Sequence, residues 1–161
     1  MGASIIDSKI FGNIFSTDAM REVWSDRNRT KHYVEIERAL AVVQGKLGII
    51  PQEAAEEIVR NCHIDKIDME RLREQTERIG YPVLGVVTQI NQLCRDKLGE
   101  FVHWGATTQD ITDTATVMQI REGLEIIDGE LAAISAALVS LSQRYRDTPV
   151  IGRSNLQQAI P

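Results

Sequence analysis

A single histidine stands among small hydroxyl, amide and carboxylate residues in the segment 101–114, Phe-Val-His-Trp-Gly-Ala-Thr-Thr-Gln-Asp-Ile-Thr-Asp-Thr. Thr107 and Thr108 can donate hydroxyl hydrogen bonds, and the glycine lets the backbone approach a ligand closely. Thr108, Asp110 or a neighbour can cap the following helix, whose free N–H groups and positive dipole end favour carboxylate or phosphate. The segment therefore predicts a site for a small anion. The alternative is a capped helix start with a buried His103 and no ligand.

A second segment of the same kind lies at 150–161, Val-Ile-Gly-Arg-Ser-Asn-Leu-Gln-Gln-Ala-Ile-Pro. It places a glycine, a cation, a hydroxyl and several amides before another apolar turn, and it predicts a second anion-binding loop. Because the chain stops inside this loop, we expect it to be part of a longer protein.

One long helical pattern, from Gln109 to about Arg146, connects the two segments. Its apolar residues recur at steps of three and four over roughly four heptads, at Val117, Ile120, Leu124, Ile127, Leu131, Ile134, Leu138, Leu141 and Tyr145. A second row comprises Ala115, Met118, Ile126, Ala133 and Ala137. At 1.5 Å per residue the helix is on the order of 55 Å long. A helix that is apolar on more than one side belongs inside a bundle, so we predict a homo-oligomer. The alternative is an antiparallel hairpin within one chain.

Five shorter helical patterns precede the long one, and no alternating apolar run predicts a strand. They run from Ser16-Thr17-Asp18 to Trp24, from Ser25 to Leu47, from Pro51 to Cys62, from Ile67 to Gly80, and from Val83 to Gly99. In the second of them one apolar stripe is expected at Tyr33, Ile36, Leu40, Val43 and Leu47, with a C-terminal cap at Gly48. The fold is predicted to be all-α, with an N-terminal helical domain at 1–106 and the start of a central helical-bundle domain at 107–161.

The composition points to a soluble protein with small-molecule partners. Of its 161 residues 43% are hydrophobic, and its net charge of -5 argues against a nucleic-acid-binding surface. No leader or long apolar run predicts a membrane segment, so we expect a cytoplasmic protein. Cys62 and Cys94 are predicted to be buried thiols. His32, His63 and His103 are too scattered to predict a metal site.

The two loops and the helix between them resemble the fumarase/aspartase superfamily, which includes adenylosuccinate lyase and 3-carboxy-cis,cis-muconate cycloisomerase. The segment 102–114 resembles the first conserved region of the superfamily. The segment 152–161 resembles the second, usually Gly-Arg-Thr-His-Leu-Gln-x-Ala-x-Pro. The Gly-Tyr-Pro-Val sequence at 80–83 and the His-Trp-Gly-Ala-Thr sequence at 103–107 resemble the cycloisomerase branch more than the adenylosuccinate lyases.

This resemblance implies a homotetramer with a central helical bundle and active sites assembled from three subunits. It also implies a reaction in which a base removes a proton next to a carboxylate of a small di- or tricarboxylate, through an enolate-like (aci-carboxylate) dianion, without cofactor or metal. Such a dianion needs many hydrogen-bond donors. His103 and Thr108 are the implied catalytic residues of the first loop; the implied substrate-binding residues are Thr107, Gln109, Asp110, Arg153, Ser154, Asn155 and Gln157.

The superfamily's third conserved region, a Gly-Ser-Ser loop that supplies the serine base and a lysine, is absent from these 161 residues. The resemblance therefore implies that this chain alone is inactive.

Three departures from the adenylosuccinate lyase pattern concern the binding of the substrate and the identity of the residue that donates a proton. Ile14-Phe15 occupies the place of an Arg-Tyr pair that holds a nucleotide phosphate. Tyr81 stands where those lyases have a histidine, and it is a candidate proton donor or, alternatively, a packed helix-start residue. Asn155 replaces a histidine, and an asparagine can bind a carboxylate but cannot exchange a proton.

Three functions stay open at this stage. The first is anti addition or elimination of the cycloisomerase type. The second is release of fumarate from an N-substituted succinate, as in adenylosuccinate lyases. The third is a non-catalytic helical assembly module in which the polar loops serve only as helix caps.

Overall fold

The computed structural model describes residues 4–155 and 157–158. Its chain divides into two compact units, Met1–Leu124 and Glu125–Pro161. Within the described residues the α-helices are α1 (Gly12–Phe15), α2 (Asp18–Val23), α3 (Asp26–Lys46), α4 (Gln52–Asn61), α5 (Met69–Ile79), α6 (Val83–Leu93) and α7 (Thr108–Arg144). Short 3-10 turns lie at Ile64–Lys66 and Leu98–Phe101. The predicted all-α class is confirmed, whereas the predicted domain boundary at 106/107 stays a prediction.

Side-chain caps start three helices where the sequence predicts them. Thr17 caps α2, Ser25 caps α3, and Asp68 caps α5 by accepting two backbone N–H hydrogen bonds. Gly48 and Gly80 follow the ends of α3 and α5 with φ of 69° and 95°, the left-handed conformation that glycine adopts without strain. These caps confirm the predicted limits of α2, α3 and α5 to within one or two residues.

The core of the first unit is built between α3, α4, α5, α6 and the start of α7. Its fully buried side chains include Val34, Ile58, Val86, Ile90 and Ile111. Helix α6 lies deep in this core, as predicted. It ends at Leu93 rather than at Gly99, however, and Gly99 lies in a separate 3-10 turn.

The buried face of α3 differs from the predicted stripe. Val43 and Leu47 are 51% and 69% exposed. Polar residues of α3 are buried in their place, among them His32, Glu37 and Gln44. The predicted stripe is therefore wrong at its C-terminal end, because α4 and the 101–107 loop contact another side of α3.

Both cysteines are buried free thiols, as predicted. Burial raises the pKa of the Cys62 thiol to about 12. Such a thiol carries almost no thiolate at neutral pH and is chemically inert.

The apolar stripe of α7 is exposed along its whole length. In the first unit Ile111 and Ala115 of this helix are buried, but all nine stripe residues from Val117 to Tyr145 are between 41% and 63% exposed. Soluble chains rarely expose a continuous apolar stripe of this kind without a partner.

In the second unit the helix is followed by a two-residue antiparallel pair. Strand β1 (Arg153–Ser154) pairs with β2 (Gln157–Gln158), with Arg153 opposite Gln158. The sequence predicts a loop here and no strand. No helix among the described residues is long and apolar enough to cross a bilayer.

A candidate active-site loop at the start of helix α7

His103 is held by a buried carboxylate. Its ring Nδ1 lies 2.5 Å from Oε1 of Glu37, in the middle of α3, and the side chains are 20% and 2% exposed. Burial raises the pKa of Glu37, while the hydrogen bonds and the charge of His103 act in the opposite direction. The orientation of the predicted site histidine is therefore fixed by Glu37, which the sequence does not mark as a site residue.

The backbone of the loop turns sharply at two positions. His103 has φ of 62° and Gly105 has φ of 70°, both in the left-handed region. A Cβ at Gly105 would meet nothing within 4 Å, so its backbone conformation rather than crowding requires glycine there. Gln44 of α3 donates a 2.7 Å hydrogen bond from Nε2 to the carbonyl of Trp104, which ties the loop to the first unit's core.

The loop ends in a reciprocal cap at the start of α7. The backbone N–H of Thr107 donates to Oδ2 of Asp110 at 2.9 Å, and the N–H of Asp110 donates to the carbonyl of Thr107. The predicted capping role is thus taken by Asp110. Thr108 is the first helical residue and is half-buried, while Thr107 and Gln109 are exposed. A carboxylate already placed at this terminus uses one of its free N–H groups.

Tyr81 lies outside this loop. It is 43% exposed and directly precedes Pro82, the N-cap residue of α6. Both the proton-donor and the helix-start interpretations of Tyr81 remain predictions.

The predicted residues of the second loop lie in the second unit. Arg153 and Gln157 are exposed strand residues, Ser154 is paired through its backbone with Gln157, and Asn155 is an exposed turn residue. Leu156 and the motif's last three residues, 159–161, lie outside the described residues.

A buried polar network holds the first turns of α7 against α2 and α3. Gln119 is fully buried; its Nε2 donates to the carbonyl of Val23 at 2.7 Å and its Oε1 accepts from Nε of Arg29 at 3.1 Å. Asn28 donates to the same carbonyl at 3.0 Å and to Glu122 at 2.7 Å. Sequence periodicity does not reveal these contacts, because a glutamine at such a position resembles a surface residue.

The same network contains a buried histidine. His32 is 2% exposed, with Nε2 3.2 Å from Glu122 and Nδ1 3.3 Å from Glu35. For Glu122, burial by itself would raise the pKa. The hydrogen bond from Asn28 and the positive charges of His32 and Lys31 outweigh burial and leave the pKa of Glu122 lowered. This histidine, a residue of α3, thus lies against a carboxylate of α7.

A separate cleft of about 490 Å³ lies between α3, α5 and the beginning of α7. Arg29, Tyr33, Arg73 and Thr112 are among its lining residues, and the predicted site residues are not. Within the described part of the chain no three His, Cys, Asp or Glu residues are grouped so that they could hold a metal ion.

Two enzymes are among the known proteins that this chain resembles in sequence. The chain is 55% identical over 149 residues to trans-aconitate decarboxylase 1 of Mycosarcoma maydis, covering 92% of this chain and 30% of that protein. It is 35% identical to N-acetyl-S-(2-succino)cysteine lyase of Dickeya dadantii, covering 100% of this chain and 35% of that one.

A solved structure has the same fold. The β-carboxy-cis,cis-muconate cycloisomerase of Acinetobacter calcoaceticus superposes with a TM-score of 0.87 at 36% identity, covering 94% of this chain and 36% of that one. The chain thus spans about a third of the length of these relatives.

The sequence profile of a lyase family matches residues 14–161, nearly the whole chain. With that match, and with relatives that include the muconate cycloisomerase, the chain belongs to this lyase family of the fumarase/aspartase superfamily.

Proposed function

We propose that the protein containing this chain is an enzyme that adds or eliminates a group next to a carboxylate of a small di- or tricarboxylate. The reaction passes through an aci-carboxylate dianion, as in the cycloisomerase branch of the superfamily. The carrying observation is the fixed imidazole of His103, which a buried Glu37 holds in the loop that opens α7.

The loop suits a developing negative charge. Preorganised donors stabilise a dianion because they need no reorganisation as the charge appears. Thr107, Thr108 and Gln109 follow His103 by four to six residues, and we assign their side-chain donors to the substrate, since the N–H of Thr107 is already used by Asp110. Asp110 caps the helix. The residues of the second loop that we assign to binding of the substrate carboxylates are Arg153, Ser154, Asn155 and Gln157.

The names of two relatives narrow the substrate class. Trans-aconitate and carboxymuconate are both unsaturated tricarboxylates. An unsaturated tricarboxylate is therefore our first candidate substrate, and the exposed Tyr81 is a candidate proton donor to it.

We also propose that the protein assembles as a homotetramer around the α7 helices. The nine exposed stripe residues support this, since a heptad stripe is the pattern with which helices pack in bundles. Active sites shared between subunits would then combine the two loops from different copies. Ordered packing of this kind also supports a purely structural role, so the assembly module is the third candidate.

A second candidate reaction is release of fumarate from a substituted succinate. The relative from Dickeya dadantii, which matches over the whole chain, is named a succinocysteine lyase. The absence of the Arg-Tyr pair at Ile14-Phe15 argues against a substrate with a nucleotide phosphate.

The two reactions are separated by ultraviolet absorbance of the complete gene product. Loss of the carboxymuconate or trans-aconitate absorbance without release of CO2 supports the first candidate, and growth of fumarate absorbance from a succinyl thioether or amine supports the second. Silence with every one of these substrates would rule out both.

Substitutions in the loop separate an enzyme from an assembly module. Thr108→Val and His103→Asn should each remove about 2–4 kcal/mol of transition-state stabilisation if the residues contact the substrate. Thr116→Val is the matched control, because Thr116 is an exposed residue of the same helix whose hydroxyl donates to the carbonyl of Thr112. Unchanged turnover in the two loop variants would favour the assembly module.

A further inference from the structure

We propose that Glu37 is a positioning residue that fixes His103 in the orientation and tautomer needed for substrate contact. Neither the motif of the first loop nor the family match assigns a role to Glu37. The catalytic role of the oriented ring rests on the proposed function, whereas the orientation and tautomer of the ring can be measured without any substrate.

The geometry leaves the ring little freedom. Glu37 lies in the interior of α3, is 2% exposed, and places Oε1 2.5 Å from Nδ1 of His103. The backbone of His103 is itself held in a left-handed conformation, with φ of 62°. Gln44, two turns further along α3, holds the adjacent carbonyl of Trp104. One helix thus fixes both the side chain and the backbone of the loop.

Stability is a poor explanation for this pair. A buried carboxylate loses its hydration, and a buried ion pair is often no more stabilising than two apolar residues of the same volume. Among the described residues, His103 supplies the hydrogen bond to Glu37. The pair therefore contributes chiefly by specifying one arrangement of the ring.

That arrangement determines which nitrogen is available. When Nδ1–H donates to the carboxylate, the neutral ring presents Nε2 as an acceptor, and the protonated ring presents Nε2–H as a donor. No described residue hydrogen-bonds to Nε2 of His103, and the side chain is 20% exposed. Nε2 is thus the atom that meets a substrate carboxylate or a transferred proton.

Nitrogen NMR of the imidazole rings tests the tautomer directly in this chain. In the wild type the neutral His103 ring should carry its proton on Nδ1, and Glu37→Met should move it to Nε2, the position favoured by free histidine. Glu37→Gln keeps an amide oxygen at the same reach and should restore the Nδ1–H signature. A wild-type ring protonated on Nε2 overturns the proposal, and this result needs no folded variant.

Glu35→Met is the matched control, since Glu35 lies on the same helix and contacts His32 rather than His103. It should change the His32 signals and leave those of His103 in place. An equal change of His103 in Glu35→Met and Glu37→Met would indicate a general disturbance of α3, and it would overturn a specific role for Glu37.

Kinetics of the complete gene product tests whether the orientation of His103 by Glu37 serves catalysis. Glu37→Met should lower kcat/KM by roughly 10- to 100-fold, by analogy with the loss that follows removal of the partner that orients a metal-ligating histidine. Glu35→Met should leave kcat/KM unchanged, and Glu37→Gln should recover most of the loss. A wild type that is inactive on all carboxylate substrates refutes the proposed function and leaves the NMR result standing. Full activity of Glu37→Met with an altered tautomer refutes the positioning role.

Discussion

Replacement of Gln119 by leucine should loosen the attachment of α7 to the rest of the first unit. Gln119 is fully buried and makes two hydrogen bonds, to the carbonyl of Val23 and from the guanidinium of Arg29. A bond to a charged group contributes about 1.5–3 kcal/mol and a neutral one about 0.5–1.5 kcal/mol. The Val23 carbonyl keeps its hydrogen bond from Asn28, so the loss of its bond from Gln119 costs little free energy. We expect Gln119→Leu to reduce the free energy of unfolding by about 2–3 kcal/mol.

Urea unfolding followed by far-ultraviolet circular dichroism measures this change, at two protein concentrations so that self-association is detected. Gln109→Leu is the control, because Gln109 is the exposed second residue of the same helix and its replacement should change stability by about 0.5 kcal/mol or less. A loss below about 1 kcal/mol for Gln119→Leu would refute the reasoning, since both lost bonds would then be replaced by water or by apolar packing.

Three further predictions concern packing, acid stability and assembly. Gly45→Ala should destabilise the chain by about 1–2 kcal/mol, because a methyl group there would lie 2.5 Å from the Cβ of a buried alanine of α4; Gly129→Ala, which meets nothing within 4 Å, should instead stabilise it in the same denaturation assay. Because the pKa of Glu122 is lowered in the folded chain, its carboxylate stabilises the fold above the ordinary carboxyl pKa, and this stabilisation is lost as the pH falls through the folded pKa. Glu122→Gln should therefore reduce the slope of the free energy of unfolding against pH on the acid side. The chain should self-associate through the exposed stripe, and the double variant Leu131→Glu, Leu138→Glu should shift light scattering towards monomer; a wild type that is already monomeric would contradict this.

Local signals explain which parts of the fold are predictable from the sequence. Thr17, Ser25 and Asp68 cap the helices that follow them, because a cap depends only on residues two or three positions away. The heptad pattern likewise predicts the long helix and an uncovered stripe. These features need no knowledge of distant contacts.

The side chains beneath the candidate loop are not predictable in the same way. Glu37 and His103 are 66 positions apart, and Arg29 and Gln119 are 90 apart. A polar residue in a helix is expected at the surface unless a partner is known. The burial of Glu37 and Gln119 therefore became evident only from the packed helices, and the exposed C-terminal end of the α3 stripe has the same cause.

The left-handed backbone at position 103 also limits how this site can vary. Glycine, asparagine, aspartate and histidine adopt a backbone φ of 62° far more readily than β-branched residues do. Replacement of His103 by valine or isoleucine would therefore combine the loss of an imidazole with backbone strain on the order of 1–2 kcal/mol. Valine and isoleucine should therefore be among the least stable members of a saturation library at this position, and functional divergence is more accessible at the neighbouring threonines than at the histidine itself.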